Sequence, residues 1–391
     1  MYSLLRKSFV RVSIVIVFIA IFSASSCKKK EPKHDANKIL EVDFETSMGK
    51  GCPEYNAIFV NPDDVKRFQI VKSLYDTQKP SLIKEASGTP RIPKIIHQIW
   101  LGPKVPPTFF ATFQKKWKDL HPGWEYHLWT EPELDELNLS LKDIIDDSPN
   151  YAEKSDIIRC ELLNRFGGVY LDVDMDPHGS LDELHEKYDF YAGLENPHRI
   201  ATTDNSVWLG ISIMASCPGH PVMKRWRELI QQRWYRVNQA YSSPVERVIN
   251  HTYFPFSYAF FEKYQEENKR NIVFPATYFY PLAPNFAAKR RSKIRGFREY
   301  FYDFLESMDL RKAKPFSKIY PESIAVHYWG NTWLPSQYEQ MTDIQNQIVM
   351  FKKELYNMQQ QIKALKAQSS AFHQDVQDQK EKPAENIAAA A

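Results

Sequence analysis

Three acidic residues at every second position are the strongest chemical signal in the sequence. Asp172, Asp174 and Asp176 alternate with apolar residues across positions 169–176. This alternation predicts a single β-strand, on which the three carboxylates share one face. Like charges so close together are tolerated when water solvates them or a cation neutralises them. Two interpretations follow, a divalent-metal site held by Asp172 and Asp174 or a strand with one wet face.

A helix is predicted to precede these acids. Asn150 and Glu153 have the spacing of a capping box, in which each side chain accepts a hydrogen bond from the other residue's backbone. The apolar positions of residues 157–166 indicate a half-buried helix, and Gly167 and Gly168 end it because glycine adopts the left-handed conformation that follows many helices.

Asp156 and Arg159 lie three residues apart on this helix and therefore point to the same side. A carboxylate and a guanidinium beside a bound divalent ion suit a sugar diphosphate, because the ion neutralises the phosphates and the pair holds hydroxyl groups. Since a polar residue on this edge contributes little to a core, we expect Arg159 to matter for chemistry rather than for folding.

Residues 155–174, SDIIRCELLNRFGGVYLDVD, resemble the signature of the DXD-containing sugar transferases of glycosyltransferase family 32. That family includes Golgi α-mannosyltransferases and is distantly similar to the glucosylating domains of large clostridial toxins. Further landmarks resemble the family in the same order, at 92–102 (IPKIIHQIWLG), 121–129 (HPGWEYHLW) and 325–333 (AVHYWGNTW). The resemblance covers residues 91–334.

The resemblance implies transfer of a hexose from a UDP- or GDP-linked sugar to a hydroxyl group of a glycan, lipid or protein, with retention of configuration. Mn²⁺, or Mg²⁺, would be bound by Asp172, Asp174 and His327, the last at a position where the family carries an imidazole. Asp172, Asp174 and Arg159 would be the catalytic residues. No residue is a convincing protein nucleophile.

The resemblance also implies roles in substrate binding for Asp156, Arg159 and Asp172, for Asn331 as an oxygen donor, and for Trp333 as a cover over the nucleotide. Where relatives often carry asparagine this chain has Ile211, and Asp204 and Asn205 are candidates to supply that contact. Two other functions remain open: a toxin-like transferase that modifies a partner protein, and a non-catalytic scaffold tethered to a membrane.

The order of strands and helices predicts an α/β, Rossmann-like domain, of the GT-A type that the resemblance implies, with helical extensions at both ends. Residues 94–100 are a buried strand, and strand–helix–strand units after it predict right-handed crossovers and a parallel sheet. Trp100 falls at the carboxyl end of the first strand, where ligands bind in such sheets. It is predicted to stack on the nucleotide base, the alternative being a core tryptophan.

Composition divides the chain into a signal peptide or membrane anchor (1–27), a tether and helical extension (28–90), a catalytic domain (91–335), a coiled-coil-like helix (336–368) and a disordered tail (369–391). The apolar run before Cys27 predicts attachment to a membrane. A bacterial lipoprotein signal is favoured over the signal-anchor of a Golgi-type lumenal enzyme.

The remaining signals bear on partners. A net charge of +3 gives no reason to expect nucleic acid as a ligand. The heptad pattern predicts a homo-oligomer through residues 338–366, or a helix that packs back on the domain. The basic stretch 289–312 is predicted to be a solvated face or a patch facing a membrane or an acceptor.

Cys160 and Cys217 are predicted to be buried free thiols.

Overall fold

The computed structural model describes residues 39–83, 89–198, 205–241, 243–266, 268–283, 316–330 and the single residue Ile362. The described residues up to Gly330 belong to one compact unit. The predicted membrane segment, the basic stretch, the heptad pattern apart from Ile362, Asp204, Asn331, Trp333 and the tail lie outside the described residues.

The strands alternate with helices along most of the described chain. The strands are β1 (Ile95–Ile99), β2 (Glu125–Trp129), β3 (Gly168–Leu171), β4 (Met175–Pro177), β5 (Phe190–Leu194), β6 (Leu209–Ser216), β7 (Asn271–Phe274) and β8 (Ala325–His327). The helices are α1 (Phe44–Ser47), α2 (Pro53–Ala57), α3 (Pro62–Gln78), α4 (Thr108–Leu120), α5 (Glu131–Asp135), α6 (Lys142–Asp147), α7 (Tyr151–Phe166), α8 (Asp182–Lys187), α9 (Pro221–Ala240), α10 (Pro244–Val248) and α11 (Phe254–Lys263). A π-helical turn, Ile249–Tyr253, joins α10 to α11.

In the described part of the chain the central sheet has six strands in the order β2-β1-β3-β6-β5-β7. Strands β2, β1 and β3 are parallel, and β5 is parallel to β7, but β6 runs antiparallel to both β3 and β5. The predicted α/β, Rossmann-like class is confirmed, whereas the all-parallel sheet is wrong. Because only β6 is reversed, the other five strands end at one edge of the sheet, where ligands bind in open α/β folds.

Helix α7 forms largely as the sequence predicts. The Asn150 side chain accepts hydrogen bonds from the backbone N–H groups of Ala152 and Glu153. The reciprocal half of the capping box is wrong, because the buried Glu153 side chain bonds Ser148 instead. Gly168 has φ +90°, and a Cβ there would lie 2.6 Å from a carbonyl oxygen of β1, so this position requires glycine.

The predicted acidic strand is divided. Strand β3 ends at Leu171, and the backbone then turns so that the N–H of Met175 donates to the Asp172 carbonyl oxygen at 3.1 Å. Residues after the turn form β4, which pairs antiparallel with β8 in a separate two-stranded sheet. The turn sends Asp176 to Lys116, whose Nζ is 2.7 Å away, and the prediction that all three carboxylates share one face is wrong.

The segment before β1 packs into the same core as the sheet. Phe44, Phe68 and Tyr75 are buried there, and the Tyr75 hydroxyl lies 2.9 Å from that of Tyr278, beyond β7. The buried free thiols predicted at Cys160 and Cys217 are confirmed. Among the described residues, no helix is long and apolar enough to cross a membrane.

Candidate active site

Asp172, Asp174 and His327, here called the ligand trio, meet at the edge where the parallel strands end. Asp172 follows β3, Asp174 precedes β4, and His327 ends β8. One ligand atom from each residue lies within 4.8 Å of the others. The His327 Nε2 atom is 3.4 Å from Asp174 Oδ1 and 3.8 Å from Asp172 Oδ2. The Asp172 side chain keeps 25% of its surface exposed and therefore faces the solvent side of the trio.

The trio fits a divalent cation. An ion bound at about 2.0–2.6 Å from each donor keeps its ligand atoms within about 5 Å of one another, which the trio satisfies. Two carboxylates and an imidazole suit Mn²⁺ better than Mg²⁺, which prefers oxygen ligands and retains more of its water. Because Asp174 and His327 are buried, an exposed acidic cluster without an ion does not describe this site.

The charges in the trio stabilise one another. Burial alone would lower the pKa of His327, but Asp174 and Asp172 outweigh it and raise that pKa above 6.5. Burial would raise the pKa of Asp174, but the charge of His327 and hydrogen bonds from His327 and the Gly330 N–H hold it below its usual value. The two acids thus favour the protonated form of His327 in the metal-free site.

Arg159 connects helix α7 to this site. Its Nη2 atom is 2.8 Å from Asp156 Oδ1 and 3.3 Å from Asp172 Oδ1, and its Nη1 donates to the Ile211 carbonyl at 2.6 Å. The guanidinium also lies 4.0 Å from the centre of the Tyr170 ring. Arg159 faces the site through Asp172, but it is 4% exposed, so its burial argues against the expectation that it contributes little to the core.

Three consecutive residues of the π-helical turn each bond a buried carboxylate. His251 Nδ1 lies against Glu153, the Thr252 hydroxyl donates to Asp156 at 2.6 Å, and the Tyr253 hydroxyl donates to Glu195 at 2.9 Å. Even so, burial raises the pKa of Asp156 to about 6.

Sequence reasoning missed this turn and Glu195. The one available signal is Pro255 in a helical pattern, because proline lacks the N–H that would bond the fourth residue before it. Nothing in that signal specifies which acidic residues the preceding side chains reach.

Trp100 lies directly after β1, as predicted, and its indole N–H donates to the Lys104 carbonyl at 2.8 Å. Its ring stacks on Phe110 with centroids 6.4 Å apart. The next residue, Leu101, lines a cavity of about 270 Å³ together with Tyr151, Lys154 and Ile158 of α7. This cavity therefore shares a helix with Asp156 and Arg159.

The Ile211 and Asn205 positions have other partners. Ile211 bonds Arg159 through its backbone, as described above. The Asn205 amide donates to Asp64 of α3 at 3.2 Å, and Asp64 also accepts the backbone N–H groups of Ser206 and Val207. Asn205 therefore helps to fix the loop before β6 to helix α3.

Residues 107–191 match the family described as the glycosyltransferase sugar-binding region containing DXD motif. Asp172 and Asp174, the two acids of the trio, form the D-x-D motif of this chain. This part of the chain is a DXD glycosyltransferase region. The predicted resemblance to DXD-containing sugar transferases is confirmed for this part of the chain.

Relatives of this DXD protein include inositol phosphoceramide mannosyltransferase 2 of Schizosaccharomyces pombe, 31% identical over 214 residues. The aligned part covers 52% of this chain and 54% of that relative, so the chain spans about half the relative's length. Mannosyl phosphorylinositol ceramide synthase SUR1 of Saccharomyces cerevisiae is 33% identical over 158 residues, covering 37% and 38% of the two chains. The UDP-bound glycosyltransferase domain from the YGT toxin superposes with a TM-score of 0.35 at 11% identity, covering 56% of this chain and 90% of that one.

Proposed function

We propose that this protein transfers a hexose from a nucleoside diphosphate sugar to a hydroxyl group, with retention of configuration and with the help of a divalent cation. The observation that carries the proposal is the ligand trio, which lies beside the buried Asp156–Arg159 pair at the carboxyl edge of the sheet. The two features supply the charges that a departing diphosphate and a held sugar require.

The trio would hold the cation, with Mn²⁺ preferred. When bound, the ion would act as a Lewis acid that neutralises the diphosphate leaving group. Asp172, which also faces Arg159 at 3.3 Å, would link the ion to the sugar-binding pair. Trp100 would stack on the base, with the cavity beside Leu101 next to it, and Asn331 and Trp333 would complete the nucleotide site.

Asp156 and Arg159 would hold the sugar. Both Asp156 oxygens are engaged, Oδ1 by Arg159 and Oδ2 by Thr252. In this proposal Asp156 therefore acts by fixing the guanidinium, and Arg159 makes the closer approach to the donor.

The relatives guide the choice of substrate. One is named an inositol phosphoceramide mannosyltransferase and the other a mannosyl phosphorylinositol ceramide synthase, so mannose and a lipid-linked hydroxyl are the first donor sugar and acceptor to test. Attachment of this protein to a membrane through residues 1–27, including lipidation of Cys27, and a catalytic domain over residues 91–335 are further proposals from the sequence.

The test compares ligand-induced stabilisation in three proteins: wild type, Asp174→Asn and Asp176→Asn. Asp176 is the matched control, because it is a neighbouring buried acid that pairs with Lys116 outside the trio. With Mn²⁺ and GDP or UDP at a hundredfold excess over the dissociation constant, wild type should gain about 2.7 kcal/mol, and Asp176→Asn about the same. Asp174→Asn should gain almost nothing. Donor hydrolysis that persists unchanged after thorough chelation would refute the role of the cation.

A further inference from the structure

Glu195 occupies a second position at the edge that carries the ligand trio. Strands β3 and β5 run in the same direction on either side of β6, so Asp172 and Glu195 leave the sheet at the same edge. The Asp172 N–H donates to the Ser212 carbonyl of β6 at 2.8 Å, and the Glu195 N–H donates to the carbonyl of Trp208, the residue before β6, at 3.1 Å. Glu195 therefore has a fixed place beside the site.

The Glu195 carboxylate is buried, and its ion-pair partner among the described residues is a histidine that is itself partly exposed. Glu195 is 7% exposed, and the Tyr253 hydroxyl donates to its Oε2 at 2.9 Å. The imidazole of His198 lies 3.7 Å from Glu195 Oε2 and is 40% exposed, so solvent screens this pairing. A buried carboxylate is costly unless it is paired and fully hydrogen-bonded.

Two other buried carboxylates are paired more closely. Asp189 lies 2.7 Å from Arg91, and Asp156 lies 2.8 Å from Arg159. Glu195 has a longer pairing, at 3.7 Å from His198. Burial raises its pKa, and the charge of Asp172 adds to that effect, while His198, Tyr253 and His327 oppose it.

In the residue after Glu195, the buried Oδ1 atom of Asn196 has no hydrogen-bond partner among the described residues. The hydroxyl of Tyr280 lies against the backbone N–H groups of Ser212 and Ile213 on β6. Burial raises the pKa of Tyr280, and the charges of Glu195 and Asp172 raise it further, so this hydroxyl lies near both acids. Gly210 makes room for it, since a Cβ there would fall 2.1 Å from the hydroxyl oxygen.

A structural role alone does not account for the charge. A neutral glutamine would accept the Tyr253 hydrogen bond equally well and at a lower desolvation cost. The π-helical turn is also held by His251 at Glu153 and by Thr252 at Asp156, independently of Glu195. A carboxylate is the better choice where a hydroxyl group of a ligand must be held by a strong, charge-assisted hydrogen bond.

We propose that Glu195 contacts a sugar hydroxyl group in this site and that Tyr253 is its positioning residue. The inference rests on the proposed function, because the sugar is the one brought to the site as donor or acceptor. A hydroxyl group of the donor sugar and one of the acceptor sugar could each donate the same kind of hydrogen bond to Glu195. The experiment distinguishes the donor from the acceptor.

The test uses the full chain with Glu195→Gln, Tyr253→Phe and the control Glu161→Gln. Glu161 is also a buried glutamate that accepts from a hydroxyl, that of Ser140 at 2.7 Å, and it has no contact with the trio. For each protein, calorimetry measures binding of Mn²⁺ with GDP or UDP. Kinetics then measures hydrolysis of GDP-mannose or UDP-glucose and transfer of the sugar to a methyl glycoside.

We expect Glu195→Gln to bind GDP or UDP like wild type and to lose at least about tenfold in kcat/KM, the equivalent of one lost charge-assisted hydrogen bond. Loss in both hydrolysis and transfer would assign the hydroxyl to the donor sugar. Loss in transfer alone would assign it to the acceptor.

Tyr253→Phe keeps the carboxylate but removes the bond that favours its charged form. We therefore expect a smaller loss than in Glu195→Gln and a shift of the acidic limb of the pH profile to higher pH. A purely structural tyrosine would lower the melting temperature without moving that limb.

The results separate the two proposals. If Glu195→Gln and Glu161→Gln both retain wild-type hydrolysis and transfer per folded molecule, this inference is overturned while the proposed function stands. If wild type binds neither GDP nor UDP with Mn²⁺ and hydrolyses neither donor, the proposed function fails, and this inference fails with it.

Discussion

The Nε2 atom of His327 faces both acids of the ligand trio, at 3.4 Å from Asp174 and 3.8 Å from Asp172. A proton and a cation therefore compete for this atom. The acids that attract a metal ion are the same groups that raise the pKa of His327 and stabilise its protonated form. The repulsion expected between neighbouring carboxylates is thus offset in the metal-free protein, and Asp174→Asn should lower its stability by removing that balance.

This competition predicts opposite pH dependences for folding and for metal binding. The pKa of His327 is raised on folding, so its contribution to stability is fully present below about pH 6.5 and is lost as pH rises through the folded pKa. The pKa of Asp174 is lowered, so its contribution is present above about pH 4 and is lost on further acidification. Mn²⁺ must displace the proton, so its affinity should rise by up to about tenfold per pH unit while His327 is protonated.

Calorimetry of Mn²⁺ binding in buffers of different ionisation enthalpy measures the proton released. We expect close to one proton at mildly acidic pH in wild type and in Asp176→Asn, and none in His327→Gln. Equal proton release in wild type and His327→Gln would show that the imidazole is not a ligand.

At the scale of elements, the site depends on a turn and on strands that are far apart in sequence. The alternation of acidic residues predicted a possible metal site. It did not predict the turn after Leu171, because no glycine or proline occurs there. The turn is fixed by pairing of β4 with β8, about 150 residues later, and a periodicity within one segment carries no information about that partner. Helix α7 and its glycine stop were predictable because their signals are local.

The position of Arg159 shows the same limit. The spacing to Asp156 was readable on the helix, but its contacts with Ile211 of β6 and with Tyr170 of β3 require the assembled sheet. A residue predicted to lie at the margin is instead the link between α7 and the strands that carry the site.

Arg159→Ala should therefore reduce both activity and stability. Removing one partner of a buried ion pair costs about 3–5 kcal/mol, because Asp156 is left buried and charged. The loss should be smaller at acidic pH, where Asp156, whose pKa is already raised to about 6, takes up a proton. Arg165→Ala on the same helix is the control, because Arg165 bonds only the Leu137 carbonyl among the described residues and is exposed.

The double variant Asp156→Asn with Arg159→Ala separates folding from chemistry. It removes the unpaired charge, so urea unfolding should recover much of the lost stability while donor turnover stays low. Recovery of activity together with stability would mean that Arg159 acts only through the fold.

At the scale of the whole molecule, the catalytic edge and the segment before β1 share one core. Asp64 of α3 is fully buried and accepts three hydrogen bonds from residues 205–207, which lead into β6. About three turns further along the same buried face of α3, the Tyr75 ring packs on Phe274 with centroids 6.2 Å apart. Composition predicts that residues 28–90 are an extension of the domain. It does not predict that they share a core with the sheet, because neither segment's sequence indicates which other segment it packs against.

A chain that begins at Arg91 should consequently fail to fold cooperatively. It lacks Phe44, Phe68, Val71 and Tyr75, each at most 2% exposed. Burial of four large apolar side chains contributes on the order of 10 kcal/mol, which is comparable with the total stability of a typical domain. The matched control begins at residue 38 and removes only residues outside the described structure. Urea unfolding followed by near-ultraviolet circular dichroism should give a single sharp transition for the control and full-length chains and none for the shorter chain. A sharp transition at the same urea concentration in the chain that begins at Arg91 would show that residues 91 onward fold on their own and that the N-terminal helices only cover them.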